Sequence, residues 1–317
     1  MEELAPSAEV TVVSRRGLEF IDPDLRFAGR LLPESLISPR LLPRLLWLPR
    51  AMSWVVRPPA SGNVEVRQLP SGATVRLHRP VGASEPCPAL LWVHGGGYVI
   101  GQARQEDALC QRFVRELGIA VAAVDYRLAP EHPYPAGLQD CYDALLLLAG
   151  LSSVDPARLA IGGASAGGGL AAALALYARD RDEVKPVLQL LVAAMLDDRT
   201  TSREELSLPG MRLWNRATNA FGWSAYLGEA DPGAAVPARQ LDLTGLPPAW
   251  LGVGTLDLFH DENVAYSRRL LAADVPVELE IVPGAFHGFD QIVPNAAVSK
   301  AFFDSQCRRL RSAFAAP

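Results

Sequence analysis

Between residues 159 and 178 the chain runs from a short apolar stretch, Leu159-Ala160-Ile161, through Gly163-Ala164-Ser165-Ala166-Gly167 into the alanine- and leucine-rich stretch Leu170 to Ala178. This sequence predicts a buried strand, a sharp turn and a packed helix in succession. Small residues around the serine permit a turn tight enough to lift its hydroxyl clear of the backbone, the arrangement known as a nucleophile elbow. A helix starting behind the turn aims free N–H groups and its positive dipole end at any negative charge developing there. A glycine-rich turn used only for packing would look the same in isolation, so the rest of the chain has to discriminate.

The alternation on either side is consistent with that reading. Val64-Glu65-Val66-Arg67 and Thr74 to His78 alternate with period two across Pro70-Ser71-Gly72, a hairpin signal. From Ala89 the strands become continuous apolar runs, Ala89 to Val93 and Ile119 to Val124, which suit a parallel sheet covered on both faces. Further strands are expected at Val187 to Ala193, Ala249 to Val253 and Val277 to Val282. Helices are expected at Asp107 to Leu117, Gly137 to Ala149, Leu170 to Arg179, Asp261 to Ala273 and Ala296 to Phe314. Strands alternating with helices give an α/β fold with a mostly parallel central sheet flanked by helices. Between Asp197 and Pro247 the alternation stops, and Trp214, Phe221, Trp223 and Tyr226 gather in an insert. The division expected is N-terminal cap helices at 1–60 and a catalytic domain at 61–317 that carries a cap insert at about 198–247.

With 49% apolar and 21% charged residues in 317, the chain can bury a full core. A net charge of −5 and no long basic run leave a nucleic-acid partner without an electrostatic footprint. Cys87, Cys110, Cys141 and Cys307 lack the spacing of a metal site or a disulfide scaffold, so free thiols and a cytoplasmic location are expected, with no metal. The acidic start does not read as a secretory signal, and no run approaches a transmembrane length. Leu31 to Val56, broken by prolines and arginines, reads as short amphipathic helices. Its interleaved Arg and Trp leave surface contact with a membrane or partner open.

Hydrolysis through a serine needs a base, a group to orient the base, and N–H donors for the oxyanion. Of five histidines, His78 falls in the hairpin, His132 in a turn, and His260 at a helix entrance, all structural settings. His287 differs, because Gly284-Ala285-Phe286-His287-Gly288-Phe289 follows the last strand, at the edge where open α/β sheets bind ligands. Asp257, in the loop after the preceding strand, is the candidate acid, with a helix N-cap as its plainer role. Asp261 and Glu262 are rivals placed where a first helical turn would use carboxylates. His94-Gly95-Gly96-Gly97 follows the strand ending at Val93, and three glycines let backbone N–H groups approach a ligand. Gly95, Gly96 and Gly97, with the later two preferred, and Ala166 are the candidate oxyanion donors. Neither glycine loop carries the Lys-Ser/Thr ending of a phosphate-binding loop.

Taken together, His94-Gly95-Gly96-Gly97, Asp125 to Pro133, Gly163 to Gly168, Asp257 with Asp261-Glu262, and His287-Gly288-Phe289 resemble the hormone-sensitive-lipase-like esterases from about Leu69 to the C-terminus. The resemblance implies an α/β-hydrolase fold, a helical cap, a triad of Ser165, Asp257 and His287, and cofactor-free hydrolysis of short- to medium-chain carboxylic esters. It allows a homodimer. It also gives Tyr126 to Pro133 a structural role, with Arg127 and Glu131 bracing loops. Trp47, Trp214, Phe221 and Trp223 are candidate pocket walls. Amidase, thioesterase or formamidase chemistry would use the same triad, and a small-molecule receptor would keep the scaffold but lose a triad member. Two departures stand out. Ala164 occupies the place of the usual acidic residue before the serine, and Asp257-Leu258-Phe259 alters the usual Asp-Pro-Leu.

Overall fold

The structure, a computed structural model, describes residues 17–34, 64–82, 86–203 and 209–315. Trp47, most of the proposed N-terminal cap, and the Leu31–Val56 segment beyond residue 34 lie outside these residues. In the described part of the N-terminus, 3₁₀ turns at Leu18–Phe20 and Pro23–Leu25 lead into helix α1 (Arg26–Leu31). The Asp22 carboxylate caps the second turn by accepting from Asp24 N at 2.9 Å.

Eight strands then build one sheet: β1 (Val64–Gln68), β2 (Thr74–His78), β3 (Cys87–Val93), β4 (Ala120–Asp125), β5 (Val154–Ala164), β6 (Leu188–Val192), β7 (Ala249–Leu256) and β8 (Val277–Phe286). Their order is β1-β2-β4-β3-β5-β6-β7-β8. The hairpin pairs Val64 with His78, β2 runs antiparallel to β4, and the remaining pairs are parallel. Helices α2 (Asp107–Leu117), α3 (Ala136–Ala149), α4 (Ala166–Arg181), α5 (Arg216–Leu227), α6 (Pro232–Ala235), α7 (His260–Ala272), α8 (Phe289–Ile292) and α9 (Ala297–Ala315) fill the connections.

Period-two alternation along β3 sorts the core into two layers. Ala89, Leu91 and Val93 face the layer that holds Leu145 of α3, Leu174 of α4 and Leu270 of α7. Leu90 and Trp92 face the opposite layer, with Phe113 of α2 and Phe302 and Leu310 of α9. Both faces are covered, which is why the apolar runs are continuous.

Several elements outrun their sequence expectation, and three of them shape the region around Ser165 and His287. β5 extends to Ala164 because Gly162 belongs to the strand: a Cβ there would sit 2.9 Å from Leu190 O. α4 starts at Ala166 rather than Leu170, since Gly168 and Gly169 are packing contacts against Ala194 and Met195 O, not helix breakers. β8 passes through Pro283 and Gly284 to Phe286, after a register shift between Gly254 and Leu256 of its neighbour. Its length delivers His287 directly at the strand end. Among the described residues, no helix is long and apolar enough to cross a membrane.

Candidate active site

Ser165 stands between β5 and α4 with φ 57° and ψ −123°, a conformation that costs an L-residue energy and survives only where its surroundings enforce it. Its N–H donates to Val192 O at 2.9 Å, and its carbonyl accepts from Gly169 N at 3.0 Å and Met195 N at 2.9 Å. The flanking glycines make the turn sterically feasible. A Cβ on Gly163 would lie 2.4 Å from Gly167 O, and one on Gly167 would lie 2.1 Å from Val93 O. Backbone atoms block both positions, so no side chain can swing aside. Gly167→Ala is therefore expected to lower stability by about 3 kcal/mol or more. A thermal melt within a few degrees of the parent would refute this.

His287 lies between the other two candidates. Its Nδ1–H donates to Asp257 Oδ2 at 2.8 Å, and its Nε2 accepts from Ser165 Oγ at 3.0 Å. Asp257 is buried, but it is not the helix N-cap that the sequence offered as its plainer role: Phe259 holds that place, and Asp257 Oδ1 accepts from Phe259 N at 2.9 Å in the turn just before α7. One carboxylate thus holds both the turn that precedes α7 and the imidazole. The Phe259 ring meets His287 edge-on, with centroids 5.3 Å apart. Burial pulls the His287 pKa down, but the charge and hydrogen bond of Asp257, with the charge of Asp290, outweigh it and leave the group above the ordinary imidazole value. The rivals are engaged elsewhere. Asp261 binds His260 and Arg203, while buried Glu262 accepts from Leu196 N and Thr200 Oγ1.

The glycine loop packs directly against the elbow, where a Cβ on Gly95 would lie 3.0 Å from Ala164 O and 3.3 Å from Ser165 Cβ. His94 secures it from below: buried and stacked on Tyr126 at 4.3 Å, it donates from Nδ1 to Gly95 O at 2.7 Å. Burial holds its pKa low, against the pull of Asp125, as suits a neutral structural imidazole. Gly96 O accepts from Val99 N and Ile100 N, closing the loop. No hydrogen bond from the N–H of Gly96, Gly97 or Ala166 to another described residue competes for these donors. Gly96 and Gly97 have φ 123° and 59°, and a Cβ on Gly97 would enter the Trp214 ring.

A cavity of about 270 Å³ opens over Ser165 and His287, bordered by Gly95 and Gly96. Of the proposed walls, Trp214 lines it, with its Nε1 donating to Asn219 Oδ1 at 3.2 Å. Trp223 and Phe221 do not line it. Trp223 is buried against Tyr98 and Tyr226, and Phe221 packs with Val99 and Ala129. Their spacing on α5 turns them toward the core beneath the insert. Leu213, Glu106 and Asp290 also border the cavity and were not singled out from the sequence. Glu106 and Asp290 carry no motif; only the fold brings the entrance of α2 and the turn after His287 together.

Away from the cavity, Arg127 braces its loop through Asp140, with Nε 2.9 Å from Oδ2. Glu131 and His132 are exposed in the adjoining turn. His78 lies buried with Nε2 3.2 Å from Asp107 Oδ1. The four cysteines are buried free thiols. Among the described residues, no group of three or more His, Cys, Asp or Glu side chains is placed to hold a metal ion.

A family model described as the alpha/beta hydrolase fold matches residues 90–291. The chain is 36% identical over 227 residues to the carboxylic ester hydrolase LipN of Mycobacterium tuberculosis, a match covering 68% of this chain and 60% of LipN. It is also 36% identical to esterase LipI of the same organism, over 64% of this chain and 65% of LipI. The match thus spans less than two thirds of either relative. Among solved structures, a bacterial heroin esterase superimposes with a TM-score of 0.84 at 38% identity, covering 94% of this chain and 99% of that one.

Proposed function

The chain belongs to the alpha/beta hydrolase family, among its hormone-sensitive-lipase-like esterases, and on that footing we propose that it is a serine carboxylesterase acting on short- to medium-chain esters. The observation that carries the reading is the unbroken chain from Asp257 through His287 to Ser165, at 2.8 and 3.0 Å, ending at the head of α4.

In this reading His287 Nε2 takes the Ser165 proton as Oγ attacks the ester carbonyl. Negative charge gathers on the former carbonyl oxygen, and the N–H groups of the Gly95–Gly97 loop and Ala166 receive it, helped by the dipole of α4. The tetrahedral intermediate collapses by breaking the bond to the alkoxide oxygen, which takes the proton from His287 and leaves as the alcohol. Water, activated by His287, then attacks the acyl-enzyme, and Ser165 recovers its proton as the acid departs. Asp257 holds the imidazole in the required tautomer throughout and offsets its transient positive charge.

The N-terminal segment and the insert fit a cap over the cavity. Arg212 Nε donates to Gly29 O at 2.8 Å and Leu213 N to Pro33 O at 3.0 Å, just before cavity-lining Trp214. A cytoplasmic location draws support from the four free thiols, and a homodimer rests on the resemblance alone.

A series of p-nitrophenyl esters from acetate to laurate, run beside a p-nitroanilide, tests the activity and its range. Turnover that peaks at short or medium acyl chains, with the anilide far slower, is the expected pattern. Preference for the anilide would replace the esterase reading with an amidase one. The pH profile follows from His287. Only the neutral imidazole accepts the serine proton, so kcat/KM rises with pH as His287 deprotonates. Because its pKa is raised, the midpoint of that rise should lie above the ordinary value of about 6.5. A midpoint below it would contradict the electrostatics of the site.

A further inference from the structure

The wall of the cavity beyond His287 is acidic. Glu106 and Asp290 both border it, with Gln105 and Gln291 nearby, and among the described residues its lining includes no Lys or Arg. Glu106 is 6% exposed. Its Oε2 accepts from Trp92 Nε1 at 3.0 Å and lies 3.5 Å from Gln291 Nε2, while its Oε1 accepts from no described residue. Asp290 sits in the first turn of α8, where the neighbouring N–H groups favour its charged form.

Two carboxyl groups in such a setting oppose each other. Burial and mutual repulsion push Glu106 up to about 7 and burial pushes Asp290 up to about 6. His287, when protonated, and Arg112 both act favourably on Asp290, and the Arg112 guanidinium rests over the Phe303 ring, 3.9 Å from the centroid. Asp107 adds further negative charge to the surroundings of Glu106. A neutral acceptor would serve Trp92 equally well, so the hydrogen bond does not account for an acid at 106. A positive charge entering the cavity would be met by both carboxylates and would favour their ionised forms.

Chemistry fixes which part of the substrate reaches this wall. His287 must hand its proton to the departing oxygen, so the leaving alcohol lies on the His287 side. Gly288, Asp290, Gln291 and Ile292 follow His287 directly and line that side. The apolar border formed by Val192, Leu213 and Trp214 is left for the acyl chain. Resting on the ester-hydrolase reading above, we infer that the cavity selects esters whose alcohol portion bears a cationic amine, with Glu106 and Asp290 receiving the positive charge.

The butyrate esters of choline and of 3,3-dimethylbutanol share a shape and differ only in a quaternary nitrogen against a carbon, so their kcat/KM ratio measures charge selection. The parent protein should favour the choline ester by about tenfold. Glu106→Gln and Asp290→Asn should each lower that ratio several-fold, and the double variant should bring it near one. Asp290 is partly exposed, so its variant remains informative if the change at buried Glu106 prevents folding. A parent ratio at or below one overturns the inference, as does a ratio unchanged in both variants. Turnover of p-nitrophenyl butyrate, measured alongside, separates the two levels. If it is cleaved without charge selection, only this inference fails; if it is not cleaved, the esterase reading fails as well.

Discussion

Ser165→Ala is expected to lower kcat by about 10⁴–10⁶-fold while leaving a folded protein that still binds substrate. The size of the loss follows from what disappears. With no Oγ there is no nucleophile to form the acyl-enzyme, and the Asp257–His287 pair has nothing to deprotonate. What remains, the N–H groups of the glycine loop and Ala166, can still polarise a carbonyl for attack by water, which keeps the residue of activity above the uncatalysed rate. Folding should be spared because the hydrogen bonds that enforce the elbow run through backbone atoms: Ser165 N to Val192 O, and Gly169 N and Met195 N to Ser165 O. Alanine also tolerates φ 57° no worse than serine. A fluorophosphonate should label the parent stoichiometrically and the variant not at all. Labelling that persists in the variant would place the nucleophile elsewhere.

The sequence revealed most where a local pattern and a catalytic requirement coincided. The hairpin, the parallel strands and the order of serine, acid and histidine were legible because strand burial leaves continuous apolar runs and the chemistry restricts residue types. The glycines blurred the boundaries. At Gly162, Gly168 and Gly169 a missing side chain reports a close approach of distant segments, Leu190, Ala194 and Met195, which no local pattern encodes. Aromatic residues misled in the insert for a related reason. Trp214 and Trp223 look alike in sequence, yet one meets Gly97 at the cavity while the other fills the space beside Tyr98. Ala164 was conspicuous as a lost acid, and it does border the cavity. The acids that border the same cavity come instead from Glu106 and Asp290, which lie 184 positions apart in the numbering and meet only through the fold.

Asp257→Asn should be nearly as damaging as loss of the nucleophile, lowering kcat by about 10⁴-fold at neutral pH despite its near-identical shape. The reason lies in the second hydrogen bond of this carboxylate. Oδ1 accepts from Phe259 N at 2.9 Å, and that amide can be satisfied only by an acceptor. An asparagine must therefore keep its carbonyl oxygen toward Phe259 and turn its NH₂ toward His287. Facing a donor, His287 Nδ1 must give up its proton and become the acceptor, so the ring proton moves to Nε2. Nε2–H then points at Ser165 Oγ, now 3.0 Å away as a potential acceptor, and no lone pair is available to take the serine proton. The carboxylate charge that offsets a protonated imidazole is lost as well, so the pKa of His287 should fall, since Asp257 raises it in the parent. Two measurements separate this from general damage. The thermal melt should stay close to that of the parent, because the bond to Phe259 N in the turn before α7 persists. The acid limb of the residual kcat/KM profile should move to lower pH. A variant that retains most of its activity, or one whose acid limb moves upward, would remove Asp257 from the role assigned to it.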